Sequence, residues 1–395
     1  MKALVAVLCF GASCGPDDLD QPRPEPRPSI ELPSTAAPDR PAARSASPAS
    51  ADASAGASRG RRLSDRDLGR LIVELSEETG EFPSENLVSN ETTYLDVAPL
   101  LRDAALRGRA YVGVGPEQNL TYFALLQPEI AFVVDIRREN LLEHLVLRAA
   151  IEAADTPGTF LAKLTARPAP ASSDIEDVVA FLGAARSEPD LLAASLDRTT
   201  ALATRLGLDL DDPDRAAIRA IHQAFFDRGL DATYSMEGSR RRYPTLAELV
   251  LQRDPDGRLA SFVADAEAYR LVRAAMRENR IVPVAGDFAG TRALAGVARR
   301  IREMGLTLGV FYASNVEEYL LPGEAHARFL DNLRAMPMDA RSLVVRVWFD
   351  RWRPHPRQRE GHRMTTLAVP LQAFLARAAE RPFRSYWQVV QWPEP

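Results

Sequence analysis

The sequence predicts an α/β fold: a mostly parallel sheet with helices on both faces and a large helical insertion. Three observations predict it. Short, continuously apolar runs recur between amphipathic stretches, as strands buried on both faces require. Several of these runs end in glycine, acidic or small polar residues. The segment from about 154 to 231 has helical spacing and no such run. With 395 residues, 46% hydrophobic and 26% charged, the chain can bury a substantial core. The 49 basic residues against 54 acidic ones give a net charge of -5, which argues against a general nucleic-acid binder. Lysine occurs only at Lys2 and Lys163. The two cysteines, Cys9 and Cys14, lie at the N-terminus, so no disulfide framework or thiol nucleophile is expected in the folded part.

The first residues read as an address. Lys2 is followed by an apolar run from Ala3 to Phe10 and by Gly11, Ala12 and Ser13 before Cys14. This is the pattern of a secretory signal, too short to span a bilayer as a mature helix. The small residues before Cys14 resemble a bacterial lipobox, although Gly11 stands where leucine is usual. That resemblance implies lipidation of Cys14 and a membrane-anchored protein of the bacterial cell envelope; a cytoplasmic chain with an apolar start is the alternative. Residues 15–62 are rich in Pro, Ala, Ser, Asp and Arg, a composition expected to stay disordered and to serve as a tether.

Order is expected from Leu63. Ser64 is a candidate N-cap, Asp65 and Asp67 fill an acidic first turn, and Leu68, Leu71, Ile72 and Leu75 repeat at helical spacing until Gly80. Next comes a polar cluster, with Asn86, Ser89, Asn90, Glu91 and Tyr94, ahead of a helix expected to end at Gly108. Ala110–Val114 is a strand ending in glycines, Leu120–Leu126 a helix stopped by Pro128, and Ala131–Val134 a second strand ending in Asp135. The next helix is expected from about Glu139 to Ala153. This βαβ unit should cross over right-handedly and bring the glycine turn and Asp135 to one edge of the sheet. Glycines let backbone approach a ligand, and a carboxylate ending the next strand can accept both hydroxyls of a ribose.

The helical insertion, with Ile218, Ile221, Phe225 and Phe226 at helical spacing from Asp214 to Arg228, reads as a lid or side layer, and His222 as a packing or surface histidine. Asp254-Pro255-Asp256-Gly257 reads as a turn. The sheet resumes with Ile281–Ala285, succeeded by Gly286 and Asp287, then a helix of about Thr291–Met304 and the strand Leu308–Tyr312, which leads into Ser314 and Asn315. Leu343–Phe349, Thr366–Val369 and Tyr386–Val390 are expected to complete the sheet. The basic run from Arg346 to Arg363, interleaved with Trp348 and Trp352, reads as a solvated hairpin loop, with contact to anionic lipid heads or a phosphorylated acceptor as the alternative. His144 is expected on a solvated helix face, with the crevice as the alternative.

YVGVGPEQNLTYFALLQPEIAFVVDIRREN resembles the first two motifs of class I S-adenosylmethionine-dependent methyltransferases. More narrowly, NLVSNETTYLD, GVGPEQN, VVDIRREN, VPVAGDFAG and FYASNVEEYL resemble a bacterial family carrying a methyltransferase-like domain. The resemblance spans roughly Phe82 to Phe349. It implies a Rossmann fold and a crevice for S-adenosylmethionine or a related nucleoside. Gly113, Gly115, Pro116, Glu117 and Asn119 would lie under the ligand. Asp135, with Ile136 and Arg137, would hold its ribose, and Ser314 and Asn315 would line the far wall. Asp287, Glu91 and Tyr94 are the candidates for aligning or deprotonating a methyl acceptor. Two positions depart from the superfamily pattern: Tyr111 stands where an acid is usual and Glu117 replaces the third glycine. An acid there favours a cationic sulfonium over a pyrophosphate, unless Glu117 caps the helix. S-adenosylmethionine is a cytosolic metabolite. The export reading and the ligand reading therefore pull apart, and a tethered binding or scaffold lipoprotein with an inert core, which could contact a protein partner, is the alternative function.

Overall fold

The computed structural model describes residues 62–78 and 80–391. The residues read as a signal, Cys14 and nearly all of the segment read as a tether lie outside these residues. The central sheet has six strands: β1 (Ala110–Gly113), β2 (Ile130–Asp135), β3 (Ile281–Ala285), β4 (Leu308–Ser314), β5 (Leu343–Phe349) and β6 (Met364–Pro370). Their order is β3-β2-β1-β4-β5-β6. The first five are parallel and β6 returns antiparallel to β5, giving the predicted mostly parallel Rossmann-like sheet flanked by helices. Every residue of β1, β2 and β3 is buried, which only a sheet covered on both faces allows. The chain moves outward from β1 to β3, then returns to place β4 on the other side of β1. That reversal leaves a crevice at the carboxyl ends of β1 and β4.

Helix α1 (Asp65–Leu75) starts with the expected Ser64 N-cap, which Asp67 completes into a capping box, and buries Leu68, Leu71, Ile72 and Leu75. It stops at a Ser76 cap, before Gly80, because Ser76 and Glu77 turn to shield the edge strand. The Glu77 N–H donates to the Ala285 carbonyl at 3.0 Å, and the Ser76 hydroxyl accepts from the Ala285 N–H at 3.1 Å. Helix α2 (Gln118–Leu126) joins β1 to β2, and α3 (Arg138–Glu152) leads from β2 into the insertion and packs on β2 and β3. The insertion contains α4 (Pro157–Leu164), α5 (Ile175–Ala184), α6 (Pro189–Leu206) and α7 (Asp212–Arg228). Helices α6 and α7 pack against α3, so the insertion is a side layer. Buried His222 bridges them as a packing residue, its Nε2 2.9 Å from the Thr199 hydroxyl.

Two expected elements differ. The helix before Gly108 is broken into short turns at Tyr94–Val97, Ala98–Leu101 and Ala104–Leu106. Asp103 captures the Ala105 N–H at 2.9 Å, and a side chain competing for the backbone in this way interrupts the helix. Tyr386–Val390 is a short helix, not an edge strand. The Ser385 side chain caps it, and its buried aromatic and aliphatic side chains pack against β5. The Tyr386 hydroxyl donates to the Val347 carbonyl at 2.7 Å and reaches the Ser314 carbonyl at 3.1 Å. Of the run expected as a solvated loop, only residues 350–363 form one, between β5 and β6, with Trp352 exposed; Arg346 to Phe349 are buried in β5, Trp348 among them, because that strand lies inside the sheet.

Candidate functional site

A cavity of about 150 Å³ opens at the carboxyl ends of β1 to β4. Each strand contributes residues at or just past its end: Gly115 and Pro116 after β1, Asp135 to Arg137 at β2, Gly286 and Asp287 after β3, Ser314 and Asn315 at β4. Asn86, Ser89, Asn90 and Glu91 form the wall opposite. Phe82 and Tyr319, in edge-to-face contact at 4.9 Å, give the cavity an apolar flank together with Phe288.

The glycine turn is held by its own neighbours. Gly115 takes φ +87°, a left-handed conformation that glycine adopts without a Cβ clash. The Asn119 amide donates to the carbonyls of Val114, Gly115 and Pro116 at 2.9–3.0 Å, and its Oδ1 accepts the Tyr111 hydroxyl at 2.7 Å. Asn119 is therefore the staple of the loop and does not line the cavity. Tyr111, in the place of the usual acid, anchors that staple. Gly113 also does not line the cavity. A Cβ there would lie 2.1 Å from Asn119 Oδ1, so close packing accounts for this glycine. His144 sits on neither a solvated face nor the cavity wall. It is buried on α3, with Nε2 3.0 Å from the Gly115 carbonyl. Because a carbonyl only accepts, Nε2 carries the proton, and burial lowers the ring pKa to about 4, so the imidazole is neutral.

Asp135 is 5% exposed and lines the cavity beside Gly115. Its Oδ1 accepts the Arg137 N–H at 2.9 Å. Burial raises its pKa to about 6, against the opposing pull of that N–H, the Arg137 charge and the Gly115 N–H. Glu91 is 1% exposed, and burial raises its pKa to about 7 although hydroxyls of Ser314 and Tyr312 favour the carboxylate. The Tyr312 and Ser314 hydroxyls both donate to Oε1, while Oε2 is buried without a partner. Gln118, whose amide donates to the Tyr312 hydroxyl at 3.1 Å, extends this network. Ser314 ends β4 at φ +50°, a left-handed position uncommon for serine, fixed by Glu91 on its side chain and Tyr386 on its carbonyl.

The remaining candidates separate. Asp287 lines the cavity and caps its own turn by accepting the Ala289 N–H at 2.8 Å. Tyr94 is turned away, its hydroxyl donating to the Leu249 carbonyl at 3.0 Å. Glu117 does not line the cavity and makes no cap. Its carboxylate accepts the Ser89 N–H at 3.1 and 3.2 Å, tying the wall of residues 86–91 to the start of α2. Burial raises its pKa to about 7. Phe82, Gln118, Tyr234 and Tyr319 also line the cavity, although none carries a site signal in the sequence. Tyr234 lies just before a two-residue strand, Ser235–Met236, paired with Ser84–Glu85, a length with no readable periodicity.

The charged residues lining the cavity are Glu91, Asp135, Asp287 and Arg137. Three acids to one base suit a cationic group and oppose a pyrophosphate. Among the described residues no cluster of metal-ligating side chains is found, and the Asp254 segment is a plain turn in which Asp254 accepts the Asp256 and Arg258 N–H groups. Among the same residues no helix is long and apolar enough to cross a membrane.

Fold and crevice together define an α/β protein with a cavity at the switch point of a Rossmann-like sheet. The chain belongs to the family described as Domain of unknown function (DUF7790), whose model matches residues 86–392 and so takes in the whole sheet. No curated protein matches it.

Proposed function

We propose that the crevice binds a sulfonium nucleoside of the S-adenosylmethionine type and serves methyl transfer to an acceptor met at Glu91. The observation that carries the reading is Asp135: a buried carboxylate ending β2, beside the left-handed Gly115 turn, at the switch point of the sheet. Asp135 accepts ribose hydroxyls, the Gly115–Pro116 backbone passes beneath the ligand, and the flank of Phe82, Phe288 and Tyr319 packs the base. The acid excess around the cavity supports a cation, and the orphaned Glu91 Oε2 supports a group awaiting a partner. When bound, the sulfonium supplies an electrophilic methyl carbon. The chain's own work is alignment and proton removal. With a pKa of about 7, Glu91 can take the acceptor's proton on Oε2 while Tyr312 and Ser314 hold Oε1 in place.

The test is ligand-induced thermal stabilisation of the purified protein by S-adenosylmethionine, with calorimetry as the second readout. A shift in melting temperature that Asp135→Ala removes without unfolding the protein supports the reading. No shift with the sulfonium, or an equal shift in Asp135→Ala, overturns it and leaves a tethered scaffold with an inert core.

A further inference from the structure

Two further cavities, of about 450 and 940 Å³, lie beside the crevice and have walls of opposite charge to it. Asn90 lines all three. Asn315 and Tyr319 are shared between the crevice and the nearer outer cavity. The two outer cavities share Arg241, Tyr243, Phe349 and Arg363. The three therefore form one path, from the acidic floor at Glu91 and Asp135 outward past Asn90.

The outer walls carry Arg240, Arg241, Arg242, Arg351 and Arg363, against two acids, Glu237 and Glu248. Arg242 is held by Glu248, and Arg351 faces Glu318 at 3.4 Å. Arg241 donates to the Asp350 carbonyl at 2.8 Å, a contact that fixes the guanidinium without neutralising it. Among the described residues, the Arg240 and Arg363 side chains pair with no acid. Ser239 and Tyr243, 3.1 Å apart, add hydroxyls to the same walls. At the junction the Asn90 amide makes no hydrogen bond within the described residues, so its donors and acceptor remain available to a ligand. Planar guanidinium forks match phosphate oxygens in geometry as well as charge.

We infer that the outer path is the acceptor site and takes a small soluble molecule bearing a phosphate ester, gripped by Arg240, Arg241 and Arg363, with its reacting end passing Asn90 toward Glu91. This rests on the methyl-transfer reading of the inner crevice. Charge sorts the two ligands: the acidic floor rejects the phosphate, and the arginine walls reject the sulfonium. Neither ligand then occupies the other's place.

The test uses the full chain and two independent probes. Sodium pyrophosphate reports the outer path and S-adenosylmethionine the inner crevice, each by calorimetry at low and at physiological salt. The expected result is pyrophosphate binding that weakens with salt and falls at least tenfold in an Arg240→Gln/Arg363→Gln double variant, whose S-adenosylmethionine-induced melting shift matches the wild type. Asp135→Ala should lose the sulfonium response and keep pyrophosphate binding. Equal pyrophosphate binding by wild type and double variant, or none by either, overturns the acceptor site whatever the sulfonium does. Pyrophosphate binding lost in the double variant, in a protein that ignores S-adenosylmethionine, keeps the anion site and removes the methyl-transfer reading beneath it. Arginine-dependent retention on phosphatidylglycerol vesicles but not on phosphatidylcholine, without pyrophosphate binding, overturns the soluble ligand in favour of a lipid headgroup.

Discussion

The Tyr312 hydroxyl, near the end of β4, donates to Glu91 Oε1 at 2.6 Å. This bond joins residues 221 positions apart and fixes the wall opposite the sheet to the sheet itself. It also restricts Glu91 to one unused oxygen, the orphaned Oε2. The chemistry proposed for the crevice depends on that restriction.

Glu91→Gln should change how stability varies with pH. The folded pKa, about 7, lies above that of an exposed glutamate, so the protonated form is favoured by folding. The contribution is fully present below about pH 4.5 and is lost as pH rises through about 7. Urea unfolding at pH 5 and pH 8 should show the wild type losing about 2.5 kcal/mol more than Glu91→Gln across that interval. Parallel profiles would mean that Glu91 is ionised throughout, with a cation or solvent beside it.

Ligand affinity should run the other way. Asp135 and Glu91 both become more fully charged between pH 6 and pH 8, so a sulfonium should bind more tightly as pH rises, by up to roughly tenfold. A neutral thioether analogue should show a smaller dependence in the same titration. A pH-independent affinity for the sulfonium would remove both carboxylates from its binding.

His144→Ala should loosen the glycine turn. It deletes a buried ring and its bond to the Gly115 carbonyl, leaving that carbonyl to the Asn119 amide. A loss of about 2–4 kcal/mol in unfolding free energy is expected. The melting shift with S-adenosylmethionine should shrink, because the Gly115 turn is no longer held from behind. A variant as stable as the wild type would show that the turn is fixed by Asn119 alone.

Gly113→Ala and Gly115→Ala separate the two glycines. The first drives a methyl against Asn119 and the Tyr111 hydroxyl and should cost about 1–3 kcal/mol by overpacking. The second meets little, its nearest contact being Gln118 Nε2 at 3.2 Å, but takes a φ of +87° and should cost about 1–2 kcal/mol in backbone strain. Melting curves with and without ligand would distinguish a stability loss at Gly113 from an added binding loss at Gly115.

Tyr94→Phe should be silent at the crevice. It removes a hydroxyl bonded to the Leu249 carbonyl and should lower stability by about 1 kcal/mol or more. Ligand-induced stabilisation should match the wild type. A selective loss of binding would return Tyr94 to the site from which its orientation removes it.

The sheet was legible in the sequence, because residues such as Phe132, Val133 and Val134 must be buried on both faces and can do so only between helix layers. The sequence also placed Gly115, Asp135, Asp287 and Ser314 at strand ends, since strand boundaries are local and topology carries those ends to one edge. Where neighbours competed for the same backbone or surface, local reading failed: Asp103 broke an expected helix, and Tyr386 buried itself against β5 as a helix. Which way a side chain turns was decided only in three dimensions. Asn119 and Glu117 look like ligand contacts in a glycine loop, yet each is drawn to a backbone partner, at Val114 to Pro116 and at Ser89. The partner that gives Glu91 its character, Tyr312, lies more than half the chain away, and no local pattern records such a distance.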